Sequence, residues 1–278
     1  MGWASKFKRD VCRPAQEKGW RAESAFKLLQ LDEEFHLLQG ITRAVDLCAA
    51  PGSWSQVLIQ KMGSQGSGHV VAVDRQDMAP LPGVLQIKGD ITQLSTAKAV
   101  VQHFEGSPAD LVVCDGDPDL TGLQDIDEHM RTQLLLAALN IATHILKPGG
   151  CFVAKIIRGR DVTLTYSQLR VFFSTVVCAK PRSSPSSSSE AFAVCQGYDP
   201  PAGFLPDLTK PLLNHSYDAD FNQLDGPTRI IVPFVTCGHL SANDSEHCYP
   251  LNAEGDSKCK DVLPMQPPIL LPPRGPTH

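Results

Sequence analysis

Residues Asp46–Trp54 read DLCAAPGSW, and the way this stretch must turn decides the fold. It closes an apolar, strand-like run over 42–47 (TRAVDL) and leads into helical spacing from about 53 to 62. Between the two lie small residues, with Pro51 setting the backbone path and Gly52 letting another group approach the chain closely. A strand, a tight turn and a helix in that order form the ligand-binding corner of an open α/β sheet. Two common versions of that corner do not fit. Dinucleotide binding asks for G-x-G-x-x-G directly after the strand, whereas Gly63, Gly66 and Gly68 fall just before the second strand. A hydrolase elbow asks for G-x-S-x-G, and Gly52-Ser53-Trp54-Ser55-Gln56 fails at its last position. The turn therefore points to a nucleotide-like cofactor of another kind.

Upstream of the turn, Ala25, Phe26, Leu28, Leu29, Leu31 and Phe35 space out an amphipathic helix over 22–37. Downstream, strands are expected at 68–74, 83–90, 109–116, 151–157, 175–180 and 190–197, with helices over 95–104, 125–146 and 163–174. LKPGG (146–150) is expected to stop the longest helix. This alternation predicts a doubly wound α/β fold: a mostly parallel, seven-stranded sheet covered on both faces. The last of these strands follows a short Ser-rich loop (183–189) rather than a helix, so it should enter antiparallel. RIIVPFV (229–235) could add an edge strand broken by Pro233. The chain divides into a basic segment (1–21), a catalytic domain (22–199), an extension with apolar anchors (200–238) and a polar, then proline-rich tail (239–278) expected to be disordered.

No apolar run in the 278 residues approaches the ~18–20 that a membrane span needs. The start, MGWASKFKRD, is charged where a secretory signal would be apolar. These features predict a cytoplasmic protein, with nuclear presence allowed and no membrane partner. Nine cysteines include no C-x-x-C pair, and Cys48, Cys114, Cys151 and Cys195 lie in or beside strand-like runs. They read as small buried hydrophobes in a reducing compartment, and no metal site is expected. The net charge of −5 hides a gradient: residues 1–27 carry +4 and residues 205–278 carry −4. A basic end on an acidic chain permits local contact with phosphates.

Acidic residues recur at the carboxyl ends of the expected strands: Asp46, Asp74, Asp90 and Asp115, joined by Lys155 on the fifth strand and Glu190 at the start of the last. Asp74 is placed to bind ribose hydroxyls, as the acid after the second strand does in nucleotide sites. With SAFKLLQLDEEF, VDLCAAPGSWSQVL, VVAVD, GDIT, DLVVCDG, LKPGGCFVAKI and SSEAFAVCQGY, the chain resembles the FtsJ-like ribose 2′-O-methyltransferases over 20–199. It is most similar to their eukaryotic cytosolic branch, which modifies the tRNA anticodon loop.

The resemblance implies a Rossmann-like class I methyltransferase fold and S-adenosylmethionine as cofactor. It implies a catalytic set of Lys27, Asp115, Lys155 and Glu190, with Gly52, Trp54, Asp74, Asp90 and Asp115 at the cofactor. It also implies tRNA as substrate, modified at positions 32 and 34, and separate WD-repeat and helical-repeat adaptors, with residues 200–238 as a docking surface. Lys6, Lys8, Arg9, Arg21, Arg158 and Arg160 are the candidates for RNA contact.

Methyl transfer to a ribose hydroxyl asks the protein to align oxygen, carbon and sulfur and to remove one proton. Lys155 is the expected base, which requires its pKa to fall well below ~10.4. Burial and a neighbouring cation such as Lys27 push it that way, while Asp115 and Glu190 oppose it. Four positions depart from the family pattern. Pro14 interrupts a helical segment, Glu23 replaces an arginine beside Lys27, Asp117 replaces a small residue, and Ile157 replaces a phenylalanine. These departures keep two alternatives open: a catalytically weakened cofactor- or adaptor-binding paralogue, and a 2′-O-methyltransferase acting on mRNA cap or rRNA.

Overall fold

The structure is a computed structural model that describes residues 19–63, 68–118, 122–157, 162–185, 187–210, 212 and 232–238. Its elements are α1 (Ser24–Phe35), β1 (Arg43–Leu47), α2 (Ser53–Gly63), β2 (His69–Asp74), β3 (Val84–Lys88), α3 (Leu94–His103) and β4 (Ala109–Cys114). They continue with α4 (Gln124–Ile145), β5 (Leu146–Ile157), α5 (Val162–Phe172), β6 (Phe173–Pro181), β7 (Glu190–Tyr198) and β8 (Phe234–Cys237).

The strands form one sheet of eight, in the order β3-β2-β1-β4-β5-β7-β6-β8. β7 runs antiparallel to both β5 and β6, and every other pairing is parallel. The expected sheet thus gains an eighth strand. Phe234–Cys237, the half of RIIVPFV beyond Pro233 and the two residues after it, pairs with Cys178–Pro181. The proline has no amide hydrogen to donate, so the paired strand begins only after it.

A second boundary also moved. LKPGG does not stay outside the sheet: α4 ends at Ile145 and the chain is extended from Leu146. Leu146 pairs with Ala109, and a bulge separates this pair from the regular register beginning at Leu111–Cys151.

The central strands are apolar and buried on both faces, as parallel strands covered by helices must be. Two hydrophobic clusters flank them. One gathers Val100, Leu139, Ala142, Leu169 and Phe172 from α3, α4 and α5. The other gathers Leu28, Leu31, Trp54 and Leu58 from α1 and α2. In α4 the buried positions Leu135, Ala138, Leu139, Ala142 and Ile145 follow the three–four spacing of a helix with one face against a core. The strand order reverses between β1 and β4, so the crevice beyond their carboxyl ends is where such a sheet binds its ligand.

Candidate active site

Lys27 belongs to a helix that precedes the sheet in sequence, and it reaches the crevice because α1 is pinned on either side of it. Ser24 Oγ and Ser53 Oγ share a 2.5 Å hydrogen bond, and Trp54 Nε1 donates to the Ser24 carbonyl at 2.7 Å. Further along α1, buried Gln30 accepts from the Ser183 amide and hydroxyl, both at 3.0 Å. Lys27 lies between these anchors, with Nζ 5.9 Å from the Phe192 ring centroid.

Glu190 is the hub. Lys27 Nζ lies 2.8 Å from its Oε1 and 3.0 Å from its Oε2, and Lys155 Nζ lies 3.2 Å from Oε2. The Ser184 hydroxyl donates to Oε1 at 2.5 Å. The antiparallel pairing sets this up: Glu190 stands opposite Ile157 and Phe192 opposite Lys155, which makes Lys155 and Glu190 diagonal neighbours on one face. Lys180, a buried lysine, holds the Glu190 main chain by donating to the carbonyls of Ser188 (2.9 Å) and Glu190 (2.8 Å). Burial alone would raise the Glu190 carboxyl, but Lys27, Ser184 and Lys155 outweigh it and hold it at about 2.

Asp115, just past β4, completes the group. Its Oδ1 is buried without a hydrogen-bond partner, and Lys155 Nζ lies 3.8 Å away. Burial pushes this carboxyl up to about 6, against the pull of Lys27 and Lys155. The structure therefore brings Lys27, Asp115, Lys155 and Glu190 into one cluster.

Lys155 corrects an expectation. Burial acts to lower its pKa, but Asp115, Glu190 and Asp117 together outweigh burial and raise it. In the free protein Lys155 is an ammonium ion. Asp117 takes part directly: its Oδ2 is 3.3 Å from Lys155 Nζ, while its Oδ1 accepts from Arg131 Nε at 3.1 Å. Glu23 also borders the cluster. Burial raises its carboxyl, Lys27 opposes this, and its Oε1 is buried without a hydrogen-bond partner.

On the cofactor side, Asp74 is fixed by its surroundings. Oδ2 accepts from the Ala50 amide at 2.9 Å and Oδ1 from the Gln76 amide at 2.7 Å. Asp90 Oδ1 accepts from the Thr92 amide (2.9 Å) and hydroxyl (2.7 Å). The Ala50–Pro51 peptide is cis, and Gly52 has a left-handed φ of 100°.

Asp46 behaves otherwise than expected, and the side chains of Trp54 and Arg21 have partners of their own. Asp46 does not line the crevice: it is 1% exposed, accepts from the Ser55 hydroxyl at 2.6 Å, and is pushed by burial up to about 7. The Trp54 indole is 2% exposed and packs 5.5 Å from Phe192, so only its main chain is left at the turn. Arg21 bridges the turn and a neighbouring loop. Its Nη1 donates to the Pro51 carbonyl at 3.0 Å and its Nη2 to the Pro80 carbonyl at 2.9 Å. A Cβ on Gly52 would sit 2.8 Å from Arg21 Nη1, so the close approach that this glycine permits is made by the arginine.

Lys6, Lys8, Arg9, Arg158 and Arg160, together with Pro14, lie outside the described residues. Gln30, Lys180, Ser184 and Arg131 were not singled out in the sequence. Only Lys180 left a trace there, as a lone cation closing the apolar run VVCAK. Among the described residues, no group of three or more His, Cys, Asp or Glu side chains is placed to hold a metal ion. Among the same residues, no helix is long and apolar enough to cross a membrane.

This site sits in a chain whose residues 20–198 match the model of the FtsJ-like methyltransferases. The chain belongs to that family. FtsJ-like enzymes draw their methyl group from S-adenosylmethionine, and this chain is a methyltransferase of that kind. It is 77% identical over 273 residues to the human tRNA (cytidine(32)/guanosine(34)-2′-O)-methyltransferase, covering 98% of this chain and 83% of that protein. The Schizosaccharomyces pombe enzyme of the same name is 50% identical over 283 residues, covering 98% and 95%. A solved ribosomal RNA methyltransferase from Plasmodium falciparum shares the fold, with TM-score 0.58 and 23% identity over 64% of this chain and 98% of that one.

The crevice suits an FtsJ-like enzyme's cofactor. Asp74 and Asp90 present acceptors at adjacent strand ends, matched to hydroxyl and amine donors, and the Asp115 oxygen that lacks a hydrogen bond suits a further donor.

Proposed function

We propose that this chain methylates ribose 2′-hydroxyls in the tRNA anticodon loop, at positions 32 and 34, acting in the cytoplasm. The observation that carries the substrate is the near full-length likeness to the human and fission-yeast enzymes of that specificity. The meeting of Lys27, Asp115, Lys155 and Glu190 at the switch point supports the chemistry.

In this reading Gly52, Asp74, Asp90 and Asp115 hold the cofactor, with Trp54 contributing through its main chain. When bound, S-adenosylmethionine supplies a methyl group already activated on a positively charged sulfur. Lys155 Nζ takes the 2′-hydroxyl proton after first losing its own to solvent. That loss is eased by a second cation nearby and by release from Asp117. Glu190 aligns Lys27 and Lys155, and Lys27 steadies the sugar-phosphate. The arrangement acts mainly through alignment, which suits a reaction whose leaving group is already activated.

The same proposal includes adaptor proteins of WD-repeat and helical-repeat type that dock on residues 200–238. It is supported by two exposed apolar side chains: Leu205, 84% exposed, next to Phe204, which is anchored 4.9 Å from Phe172, and Phe234, 47% exposed, on β8.

The test is to incubate the full chain and adaptors with unmodified tRNA, capped mRNA and rRNA fragments, each with labelled cofactor. Methylation of tRNA riboses 32 and 34 is expected by nucleoside mass spectrometry. Label appearing in cap or rRNA instead would move the substrate class, and unchanged adaptor binding after deletion of 200–238 would remove the docking surface.

A further inference from the structure

Lys155 faces three carboxylates, and the third is oddly placed. Asp115 and Glu190 belong to the cluster that aligns the lysine. Asp117 stands on the outer side, 39% exposed, with one oxygen 3.3 Å from Lys155 Nζ and the other 3.1 Å from Arg131 Nε. One anion thus spans two cations. Arg131 is itself only 25% exposed and comes from α4, on the opposite face of the sheet from Lys27. Beside the pair a cleft opens between α4 and the end of β5, lined by Glu128, Arg131, Thr132, Lys155 and Thr165. A guanidinium that holds a carboxylate oxygen in this way can hold a phosphate oxygen in its place.

We propose that Arg131 binds a backbone phosphate of the RNA substrate beside Lys155, and that the Asp117 carboxylate occupies this position in the free protein. The proposal rests on the reading of the substrate as RNA and deepens it. Asp117 is an internal competitor: an incoming phosphate must displace it, and its displacement frees Lys155 from one of the three carboxylates holding it as an ammonium. Glu128 lines the same cleft, so the subsite is bounded by negative charge on the α4 side. Phosphate contacts of this kind add affinity and position the strand without reading its sequence.

The test is binding of an unmodified tRNA transcript to the full chain, measured as a function of salt. The variants are Asp117→Ala, Asp117→Asn, Arg131→Ala and the double variant Asp117→Ala/Arg131→Ala, with cofactor affinity measured in parallel. Removing the Asp117 charge should tighten tRNA binding about tenfold. It should also steepen the slope of log K against log salt by up to about 0.7, the single-strand value per charge, because no displaced carboxylate is left to recapture a counterion. Arg131→Ala in that background should abolish both gains, and cofactor affinity should not move.

Unchanged affinity and slope in Asp117→Ala and Asp117→Asn would overturn the proposal. So would a gain that survives Arg131→Ala, because it would then be general charge relief, and so would failure of every variant to bind tRNA. Tightened binding without methyl transfer would instead leave the subsite standing and count against the proposed activity.

Discussion

Lys27 on α1 and Glu190 at the start of β7 are 163 residues apart in sequence, yet they meet with Nζ 2.8 Å from Oε1. Their side chains are 15% and 10% exposed, so the pair is largely withdrawn from solvent. It ties the helix that precedes the sheet to the one antiparallel strand inside it, and Lys155 shares the same carboxylate.

Removing that carboxylate leaves Lys27 without its direct ion-pair partner and Lys155 with only Asp115 and Asp117. Glu190→Gln should destabilise the fold at neutral pH by about 3 kcal/mol, the usual cost of breaking a buried pair from one side. The Glu190 carboxyl is depressed to about 2, below its unfolded value of 4.5. Its contribution is therefore present above pH 4.5 and is lost as pH falls through 2. Urea denaturation at pH 7, 5 and 3 should show the gap between wild type and variant closing toward the acid end. A gap that stays constant across that range would contradict the assignment.

Asp46 carries the opposite sign. Burial raises its carboxyl from 3.8 to about 7, so the folded state holds the proton more tightly than the unfolded chain. Its contribution is fully present below pH 3.8 and is lost as pH rises through 7. Asp46→Asn keeps an acceptor for the Ser55 hydroxyl and removes the titration. The variant should melt higher than wild type at pH 8, with the advantage shrinking by pH 5. Equal differences at both pH values would show that Asp46 is not perturbed in this way.

Arg21 joins the turn at Pro51 to the loop at Pro80 through two carbonyls. The Ala50 amide of that turn donates to Asp74, which is assigned to the cofactor, so the arginine preorganises that site. Arg21→Ala should weaken S-adenosylmethionine binding roughly tenfold by calorimetry, the penalty expected when ordering must be done on binding. The melting temperature should change little, because the contacts lie near the surface. Unaltered cofactor affinity would return Arg21 to its expected part in RNA contact.

Gly116 follows Asp115 directly, and a Cβ there would lie 2.8 Å from Cys48 Sγ and 2.9 Å from Leu134 Cδ2. Gly116→Ala should cost about 1–3 kcal/mol through overpacking and should disturb Asp115 at the same time. Thermal unfolding together with cofactor affinity would register both effects, and a neutral result would mean that the loop after β4 yields easily.

Much of this was legible in the sequence because it is local. The turn at 46–54, the alternation of strands and helices, and the antiparallel entry of β7 after a short loop follow from spacing within a few residues. Asp74 and Asp90 could be placed because each ends its strand or sits just beyond it. What stayed hidden depends on long-range docking. Gln30 and Ser183 are 153 positions apart, and nothing near either one announces the bond that seats α1. The burial of Asp46 and of the Trp54 indole was missed because a position at a strand end says where a side chain begins, not whether a helix covers it. For Lys155, burial and a neighbouring cation argued for lowering while Asp115 and Glu190 argued against it, and spacing alone could not weigh the two. The carboxylates win: Asp115 and Glu190 contribute most, and Asp117, held within reach by Arg131 from 14 residues downstream on another element, adds to them.

The central claim is that Lys155 removes the proton from a tRNA ribose while the rest of the cluster aligns it. The most direct measurement is single-turnover methyl transfer to unmodified tRNA by wild type and Lys155→Ala, with the affinities for S-adenosylmethionine and tRNA measured on the same samples. The account predicts that Lys155→Ala loses transfer at riboses 32 and 34 by at least about a hundredfold while still binding cofactor. Transfer that persists in Lys155→Ala at a comparable rate would contradict it.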